Sequence, residues 1–550
     1  MKLRSKILLL IAVIILFSGF LTRDNDIYFQ INKSIDIFGR VYKEVTINYV
    51  DQLNPEEFML SGINGMLTSL DPYTNFLDVN GQKDIEIITK GKYGGIGATI
   101  GLRNENITIV DLIEGFSAQR QGMRVGDIIV KINNVSVTKD NYENLSEFLK
   151  GDVGSTVNVV VKREGVDDEI IFNLVREEIE VKNLTYYGFV PEGSNNAYLK
   201  LSGFSRSAGE EIKKALLELK SQKEIGSVVL DLRGNPGGLL DAAIDVCEKF
   251  LKKGETIVTV KGRDSLSVRN YSSAEEPIAG DVKMALLIDE GSASASEIVA
   301  GAIQDHDRAI LVGTNSYGKG LVQTIIPLSY NTSLKITTAR YYTPSGRSIQ
   351  KVSYSEKNKV FEKGMNLIKN EYRTDYKRKV YSAGGIMPDT VVVNESSSGL
   401  VQKLLADGMF FRFATNFFNN NQNRDFKKYS SDILLKEFTN YLHSQNFDFV
   451  SRAEKLIDQL KTAAVEENLD QKFLEQLDKT KNQIDANHSN EIEKYKNDIL
   501  FLIREELAAR IDGRQGRIKE SLKMDNQFAA AVNILSNKKL YDKLVKPDAK

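Results

Sequence analysis

Apolar runs alternate with glycine-rich turns in the middle of the chain, between residues 185 and 395. Three of these runs are short and rich in β-branched or aliphatic residues, as buried strands are: "SVVLDLR", "KMALLIDE" and "AILVG". The first two lead into the turns "GNPGG" and "GSASAS" and then into the helical patterns "LLDAAIDVCEKFL" and "EIVAGAIQD". Such repeated strand–turn–helix units predict an α/β layer fold with its helix N-termini gathered along one sheet edge.

On either side of residues 185–395, the apolar residues recur with other spacings. Residues 24–90 carry apolar side chains at helical spacing, interrupted by the proline-containing stretch "LDPYTNFL". Residues 91–178 hold short β-branched runs separated by glycine turns, with one helical pattern over "YENLSEFLKG", which predicts a small β domain. Beyond about residue 400 the chain is poor in glycine and rich in helical patterns, but no heptad is sustained. An accessory helical domain is therefore favoured over a long coiled coil.

These patterns predict a multidomain protein that combines α+β and α/β parts. Its predicted segments are 1–23 (targeting), 24–90 (N-terminal helical), 91–178 (β domain), 179–395 (α/β domain) and 396–550 (C-terminal helical). Within the α/β domain, residues 351–379 hold nine Lys or Arg against four Asp or Glu, which is typical of a solvated basic insertion.

Composition excludes several functional classes. The formal net charge is −1 with 27% charged residues, so no overall field attracts nucleic acid. The single cysteine, Cys247, permits neither an intrachain disulfide nor a cysteine metal cluster. Only three histidines occur, which limits zinc binding and histidine-based catalysis. We expect no metal and no cofactor.

The N-terminus has the pattern of an export signal. Lys2, Arg4 and Lys6 precede an apolar run over residues 7–21. The run is long for a cleaved signal and short for a full membrane span, so it would be cleaved or kept as an anchor; the alternative is a buried core helix. We expect the rest of the chain to act in the bacterial periplasm or cell envelope.

The stretch "GTNSYGKG", residues 313–320, comes within one residue of a phosphate-binding loop. Such a loop needs a hydroxyl after its lysine to ligate magnesium, but Gly320 stands there. It also needs a helix to begin at the lysine, whereas the following "LVQTIIPLS" has the pattern of a strand. Nucleotide binding is therefore disfavoured, and another chemical role is considered for Lys319.

The stretch "GSASASEIVAG" places a serine at a predicted strand-to-helix junction. Ser294 and Glu297 have the spacing of a capping box, so a purely structural role is one interpretation. The other is nucleophilic catalysis, for which His306 or Lys319 could be the base. A lysine base must lose about 3 units from its usual pKa of about 10.4, which burial among apolar strands can achieve. Gln323, in the following strand, could hold the amine or the hydroxyl in place.

Two glycine-rich turns offer backbone amides. "RGNPGG", residues 233–238, ends a predicted buried strand and opens a helix, so its amides could stabilise an oxyanion, unless it is a plain turn. "GGIGAT", residues 94–99, presents successive amides that could capture a terminal carboxylate while the peptide adds as a strand. Lys90 or Lys92 could favour the negative charge.

The order of "LDPYTNFL", "GIGATIG", "DLRGNPGG", "GSASASE", "GKGLVQ", "YYTPSGRSIQ" and "GGIMPD" resembles the carboxyl-terminal processing proteases, also called tail-specific proteases, over about residues 35–395. The resemblance implies a PDZ domain joined to a Ser-Lys protease domain of the crotonase-like (ClpP/crotonase) α/β class. The implied residues are the following: nucleophile Ser294, base Lys319, supporting Gln323, oxyanion donors Gly237, Gly238 and Ala295, and tail-binding Gly95, Ile96, Gly97 and Ala98.

These observations predict an exported serine endopeptidase that binds apolar C-terminal tails of proteins and cleaves upstream of them. One rival is a non-catalytic PDZ adaptor on a protease-like fold, and another is a crotonase-like lyase or thioester hydrolase. The basic insertion and the long helical C-terminus depart from the family pattern. The C-terminal helices could bind a second copy of the chain or an adaptor protein.

Overall fold

The computed structural model describes residues 27–103, 105–164, 166–264, 267–280, 282–352, 354, 369–393, 398–420, 426–488 and 491–546. The targeting segment predicted for residues 1–23 and much of the basic insertion predicted for 351–379 lie outside these ranges. Within them, no helix combines the length and the apolar character needed to cross a bilayer. The chain divides into two compact units, and residues 27–79 and 323–337 belong to the first.

The first unit contains the helices α1 (27–48) and α2 (Pro55–Leu67) and the strand β1 (Asn75–Leu77). Helix α2 begins after Asn54, whose side chain accepts a hydrogen bond from the Glu56 amide at 3.0 Å. Strand β1 pairs antiparallel with residues 333–335. The helices predicted for residues 24–90 are thus confirmed in this unit.

The second unit begins with the β domain. Its strands β3, β4, β5, β7 and β8 form one antiparallel sheet in that order, β6 pairs with β5, and β2 pairs separately with β9. The elements in chain order are α3 (Val79–Lys90), β2 (Lys92–Gly95), β3 (Ala98–Arg103), β4 (Asn106–Leu112), α4 (Ser117–Arg120), β5 (Ile128–Ile132), β6 (Val135–Ser136), α5 (Tyr142–Leu149), β7 (Thr156–Lys162), β8 (Ile170–Val175) and β9 (Glu177–Glu180). Helix α5 confirms the predicted helix, and Leu145 of that helix is fully buried in the domain core.

The α/β domain follows, and its elements lie in the second unit apart from residues 323–337, which belong to the first. Its elements are β10 (Leu184–Phe189), β11 (Asn196–Leu201), α6 (Ala208–Gln222), β12 (Ser227–Asp231), α7 (Leu240–Glu248), β13 (Thr256–Gly262), β14 (Val268–Ser272), β15 (Lys283–Ile288), α8 (Ala295–Asp305), β16 (Ile310–Gly313), β17 (Leu321–Pro327), β18 (Ser333–Tyr342), β19 (Glu371–Arg373), β20 (Lys379–Tyr381) and β21 (Thr390–Val391). A six-stranded sheet runs in the order β10-β11-β12-β15-β16-β21 and is parallel except for β10. The three predicted buried strands are its neighbouring central strands β12, β15 and β16.

The C-terminal region is helical, as predicted. Its helices are α9 (Gly399–Ala406), α10 (Met409–Asn420), α11 (Ser431–Ser444), α12 (Arg452–Glu466), α13 (Gln471–His488), α14 (Glu491–Lys494), α15 (Lys496–Ser521), α16 (Asn526–Ser536) and α17 (Lys538–Val545). Helices α9, α10, α11 and α15 share a core rich in phenylalanine. Helices α12 and α13 form an antiparallel hairpin, in which Lys461 pairs with Asp478 and Lys481 with Asp458.

The last two helices pack on the sheet of the α/β domain, a contact that the sequence analysis did not predict. The sheet has two apolar faces, because its central strands bury alternate side chains on both sides. Helices α6, α7 and α8 cover one face. Helices α16 and α17 cover the other, where Phe528 and Ile534 pack against Val229 and Leu287. Helices α16 and α17 therefore shield the second apolar face of this sheet from solvent.

Candidate active site

Ser294 stands immediately before helix α8, at the end of the turn that follows strand β15. Its backbone has φ 55° and ψ −111°, a conformation that side-chain-bearing residues rarely adopt. Strained backbone of this kind persists only where the surrounding structure imposes it, and it is common at catalytic residues. The side chain is half-buried, while its neighbours Ala293 and Ala295 are buried. The turn thus presents one hydroxyl at the sheet edge.

The Glu297 side chain joins Ser294 to the loop that carries Lys319. Its Oε2 atom accepts from the Ser294 amide and from the Lys319 amide, each at 2.9 Å. Its Oε1 atom accepts from the Ser316 hydroxyl at 2.6 Å and from the Gly318 amide at 2.7 Å. Burial raises the pKa of the Glu297 carboxyl, and these donors oppose that rise. Because both amides donate to the same oxygen atom, the separation of the Ser294 and Lys319 nitrogen atoms cannot exceed the combined length of these two hydrogen bonds.

Capping accounts for only part of the role of Glu297. The predicted bond from its carboxylate to the Ser294 amide is present, but the same carboxylate also holds the Lys319 loop. Sequence analysis missed this second role, because the spacing within one helix says nothing about a loop about twenty residues away. Strand β17 begins at Leu321, directly after the loop, so the helix that a phosphate-binding loop needs is absent from this described segment.

The glycines of "RGNPGG" lie against Ser294. A Cβ atom added to Gly237 would approach the Ala293 carbonyl oxygen to 2.6 Å, the Ala295 amide to 2.9 Å and the Ser294 Cβ to 3.0 Å. The Gly237 amide itself donates to Asn235 Oδ1 at 2.9 Å. Gly238 packs against Phe204 instead, since a Cβ there would approach the Phe204 carbonyl oxygen to 2.3 Å. The structure therefore places the main chain of Gly237 beside the Ser294 turn, and the oxyanion role of Gly237, Gly238 and Ala295 stays a prediction.

We expect Gly237→Ala to lower cleavage of a peptide by about 100-fold, because the new methyl group would displace the Ser294 turn. Gly237 has φ 98°, a value that alanine adopts only with strain. Gly234→Ala is the matched control, since Gly234 also has positive φ but its added Cβ meets nothing within 4 Å. Steady-state cleavage rates and thermal unfolding of both variants would test this. Equal activity of the two variants would contradict the prediction.

Ion pairs hold the end of strand β12, which precedes the glycine-rich loop at residues 233–238. Arg233 pairs with Asp231 at 2.6 Å and with Asp525, the residue before helix α16, also at 2.6 Å. Lys200 lies 3.1 Å from Asp231. Burial raises the pKa of Asp231, but Lys200 and Arg233 outweigh it and hold that pKa well below its usual range. The C-terminal helices are thus tied to the base of the glycine loop.

His306 is the other candidate base, and Gln323 is the candidate supporting residue. His306 ends helix α8, about 16 Å from the helix start at 1.5 Å per residue. Its Nδ1 contacts Asp375 at 2.8 Å and its Nε2 contacts the Thr256 carbonyl oxygen at 2.7 Å. Burial disfavours its charged form, but these contacts prevail and raise the pKa of His306. Gln323 belongs to the first unit, where its Nε2 donates to Thr337 Oγ1 at 3.2 Å. Its catalytic role stays a prediction.

A groove of about 340 Å³ lies in the β domain between strand β3 and helix α5. Its lining residues are Tyr93, Gly95, Ile96, Ala98, Thr99, Ile100, Tyr142, Leu149 and Lys150. Gly97 has φ 78°, and a Cβ there would approach the Phe116 Cβ to 2.3 Å, so the tight turn requires glycine. Lys92 pairs with Glu178 at 2.7 Å, outside this lining. Lys150, which the sequence analysis did not single out, is the cation that lines the groove.

The described residues contain no group of three or more His, Cys, Asp or Glu side chains arranged to hold a metal ion. We assign no cofactor role to any of them.

Comparison with known families agrees with this architecture. The model described as "Peptidase family S41" matches residues 195–356, and a "PDZ domain" model matches residues 108–163. The model described as "Probable PDZ-protease, C-terminal helical domain" matches residues 400–535. The class is therefore that of serine peptidases with a PDZ domain and a helical C-terminal domain.

Similar proteins define the family more closely. The carboxy-terminal-processing protease of Bartonella bacilliformis is 39% identical over 321 residues, which are 58% of this chain and 73% of that protein. The carboxy-terminal processing protease CtpB of Bacillus subtilis is 31% identical over 58% of this chain and 66% of its own length. The chain belongs to the carboxy-terminal processing proteases of peptidase family S41. Among solved structures, the photosystem II D1 C-terminal processing protease is similar with 26% identity and a TM-score of 0.34, over 56% of this chain and 82% of its own.

Proposed function

We propose that this peptidase is exported, that it binds C-terminal tails of proteins in the groove of its PDZ domain, and that it cleaves their peptide bonds with Ser294 as the nucleophile and Lys319 as the base. One observation carries the proposal. The Glu297 carboxylate binds the amides of both Ser294 and Lys319, so that two residues distant in sequence are neighbours at one sheet edge.

The chemistry follows the Ser-Lys variant of the catalytic triad. Ser294 Oγ attacks the scissile carbonyl carbon while the neutral Lys319 amine takes the hydroxyl proton. The resulting ammonium gives that proton to the leaving amine. The amides of Ala295 and Gly238 stabilise the oxyanion, and Gly237 joins them once its bond to Asn235 is released. Gln323 would orient the amine or the hydroxyl. No metal or other cofactor is required.

Substrate selection would take place in the PDZ groove. The terminal carboxylate would bind the amides of Ile96, Gly97 and Ala98. These residues belong to the turn that starts at Gly95 and ends at Ala98. The peptide would then pair with the edge of strand β3. Ile100 and Leu149 offer apolar surface to the side chains of the tail. Apolar, flexible protein tails are therefore the proposed substrates.

We further infer the fold class of the catalytic domain, the domain limits, the cellular location and the partners of the C-terminal helices. The sheet of the α/β domain would be of the crotonase-like class, and the domain limits would fall near residues 24, 91, 179 and 396. Processing or degradation of envelope proteins would take place in the bacterial periplasm or cell envelope, where residues 7–21 would be cleaved off or kept as an anchor. The C-terminal helices would bind a second copy of the chain or an adaptor.

The test is cleavage of an unstructured reporter with an apolar C-terminal tail by the wild-type chain and by Ser294→Ala. We expect the wild type to cleave, Ser294→Ala to show no cleavage, and C-terminal amidation of the reporter to raise its KM about tenfold or more because the carboxylate contacts are lost. Binding of the tail by Ser294→Ala, measured by fluorescence anisotropy, serves as the folding control. Tail binding without cleavage by the wild type would favour the adaptor interpretation. Cleavage that is insensitive to amidation would refute tail recognition.

A further inference from the structure

Tyr341 lies in strand β18, beside the loop that carries Lys319. Its side chain is 1% exposed, and its amide donates to the Gly320 carbonyl oxygen at 3.1 Å. The phenol hydroxyl is 2.5 Å from the Lys319 carbonyl oxygen and 3.1 Å from the Ser294 carbonyl oxygen, and its single proton is shared between these two acceptors. One buried hydroxyl therefore bridges the backbones of the proposed base and the proposed nucleophile.

Glu297 makes the complementary bridge. Its Oε2 atom accepts from the amides of the same two residues, Ser294 and Lys319. Each of them is thus held at its N–H by a carboxylate and at its C=O by a phenol. The two peptide segments are far apart in sequence, and these side chains connect them at both polar groups.

We propose that Tyr341 is a positioning residue that, together with Glu297, sets the separation of the Ser294 hydroxyl from the Lys319 amine. This inference rests on the proposed Ser-Lys activity. Tyr341 reaches the two residues through their main chain, so it would act on geometry and would not take part in proton transfer itself.

The surrounding backbone explains why such a bridge is needed. Lys319 stands between two glycines, of which Gly318 has φ 91°, so the loop has little rigidity of its own. Ser294 has a strained conformation that its surroundings must impose. Proton transfer requires the base within hydrogen-bond reach of the hydroxyl, and a displacement of about 1 Å can cost about 100-fold in rate.

The test compares Tyr341→Phe with Tyr342→Phe in the full chain, using the reporter with an apolar tail. The first variant removes only the bridging oxygen and keeps the buried ring. The second removes the hydroxyl of the next residue, whose half-buried ring lies 4.6 Å from the Lys261 amine. We expect Tyr341→Phe to lower kcat by about 10- to 100-fold with KM changed less than about twofold, and we expect Tyr342→Phe to match the wild type.

The pH profile separates positioning from general destabilisation. Catalysis needs the neutral amine, so the acidic limb of kcat/KM reports the pKa of the base. A loosened loop admits water to Lys319 and moves that pKa towards its usual value of about 10.4. The acidic limb of the kcat/KM profile of Tyr341→Phe should therefore move to higher pH. The loss of activity relative to the wild type should be smaller at pH 9 than at pH 7. A loss that is equal at both pH values would overturn the inference.

Other outcomes remain distinguishable. If the wild type does not cleave, or if Ser294→Ala cleaves normally, the proposed function fails and not this inference alone. If thermal unfolding shows that Tyr341→Phe does not fold, Glu297→Gln replaces it, because the glutamine amide cannot accept from all four donors. The same displaced limb is expected for that variant, and an unchanged limb would refute the bridge.

Discussion

Replacing Lys319 with arginine should reduce reporter cleavage at pH 7 by about 1,000-fold or more, within the range that general-base catalysis supplies. The guanidinium keeps the positive charge but stays protonated at all accessible pH values, so it cannot take the proton of Ser294. A lysine with the usual pKa of about 10.4 is neutral in only about one molecule in 2,500 at pH 7. Catalysis by Lys319 near neutral pH would therefore require surroundings that favour the neutral amine.

Lys351→Arg is the matched control. Lys351 is an exposed lysine whose amide donates to the Gly318 carbonyl oxygen at 2.9 Å, so it neighbours the same loop. We expect this variant to cleave as the wild type does. Initial rates between pH 6 and pH 10 should show no recovery of Lys319→Arg at high pH. Substantial activity of Lys319→Arg would mean that another group is the base, and the contacts of His306 with Asp375 and Thr256 make that histidine a poor candidate.

Deletion of residues 523–550 should prevent the α/β domain from folding. Helices α16 and α17 cover an apolar sheet face, to which they contribute Phe528, Ile534, Leu535, Tyr541 and Val545. Full burial of one such side chain is worth about 1.5–3 kcal/mol, so their combined loss is comparable to the usual stability of a whole domain, about 5–15 kcal/mol. The truncated chain should aggregate or lack a cooperative unfolding transition in circular dichroism.

A deletion elsewhere in the helical region provides the contrast. The hairpin of α12 and α13 projects with little buried surface, and Glu454 and Ala464 are the buried residues of α12. Replacement of residues 452–488 by a short glycine–serine linker removes more chain than the first deletion. It should nevertheless shift Tm by only a few degrees. If the shorter deletion is tolerated and the hairpin deletion is not, our assignment of the sheet cover is wrong.

Local patterns predicted much of the fold. Fully buried parallel strands appear in sequence as continuous apolar runs, which is why β12, β15 and β16 could be predicted from their residues alone. The same pattern hides what covers them. Nothing in the amphipathic sequence of α16 distinguishes a helix that packs on helices from one that packs on a distant sheet. That assignment depends on contacts between residues such as Phe528 and Val229, which are far apart in the chain.

The sequence likewise predicted only part of the candidate site. Ser294, Lys319 and the glycines before helix α7 lie in short motifs with recognisable chemistry. The side chains that organise them, Glu297 in "GSASASE" and Tyr341 in "YYTPSGRSIQ", also lie in these motifs, but their residue types do not reveal that role. Glu297 has the spacing of a helix cap, and Tyr341 is one aromatic residue in a strand, so both look structural until their long-range hydrogen bonds are known. The positive φ of Ser294 is likewise imposed by tertiary structure and has no signature in the residue type.

The long stretch of chain between the strands of the sheet and helices α16 and α17 also bears on the timing of folding. Ribosomes make the strands long before they make residues 526–545, so a nascent chain carries an uncovered apolar face until these helices emerge. Domains condense as units, and contacts between residues distant in sequence form late. We therefore expect the serine and lysine loops to acquire their final geometry only after residues 526–545 have been made. Such a delay would keep the peptidase inactive while these helices are still missing.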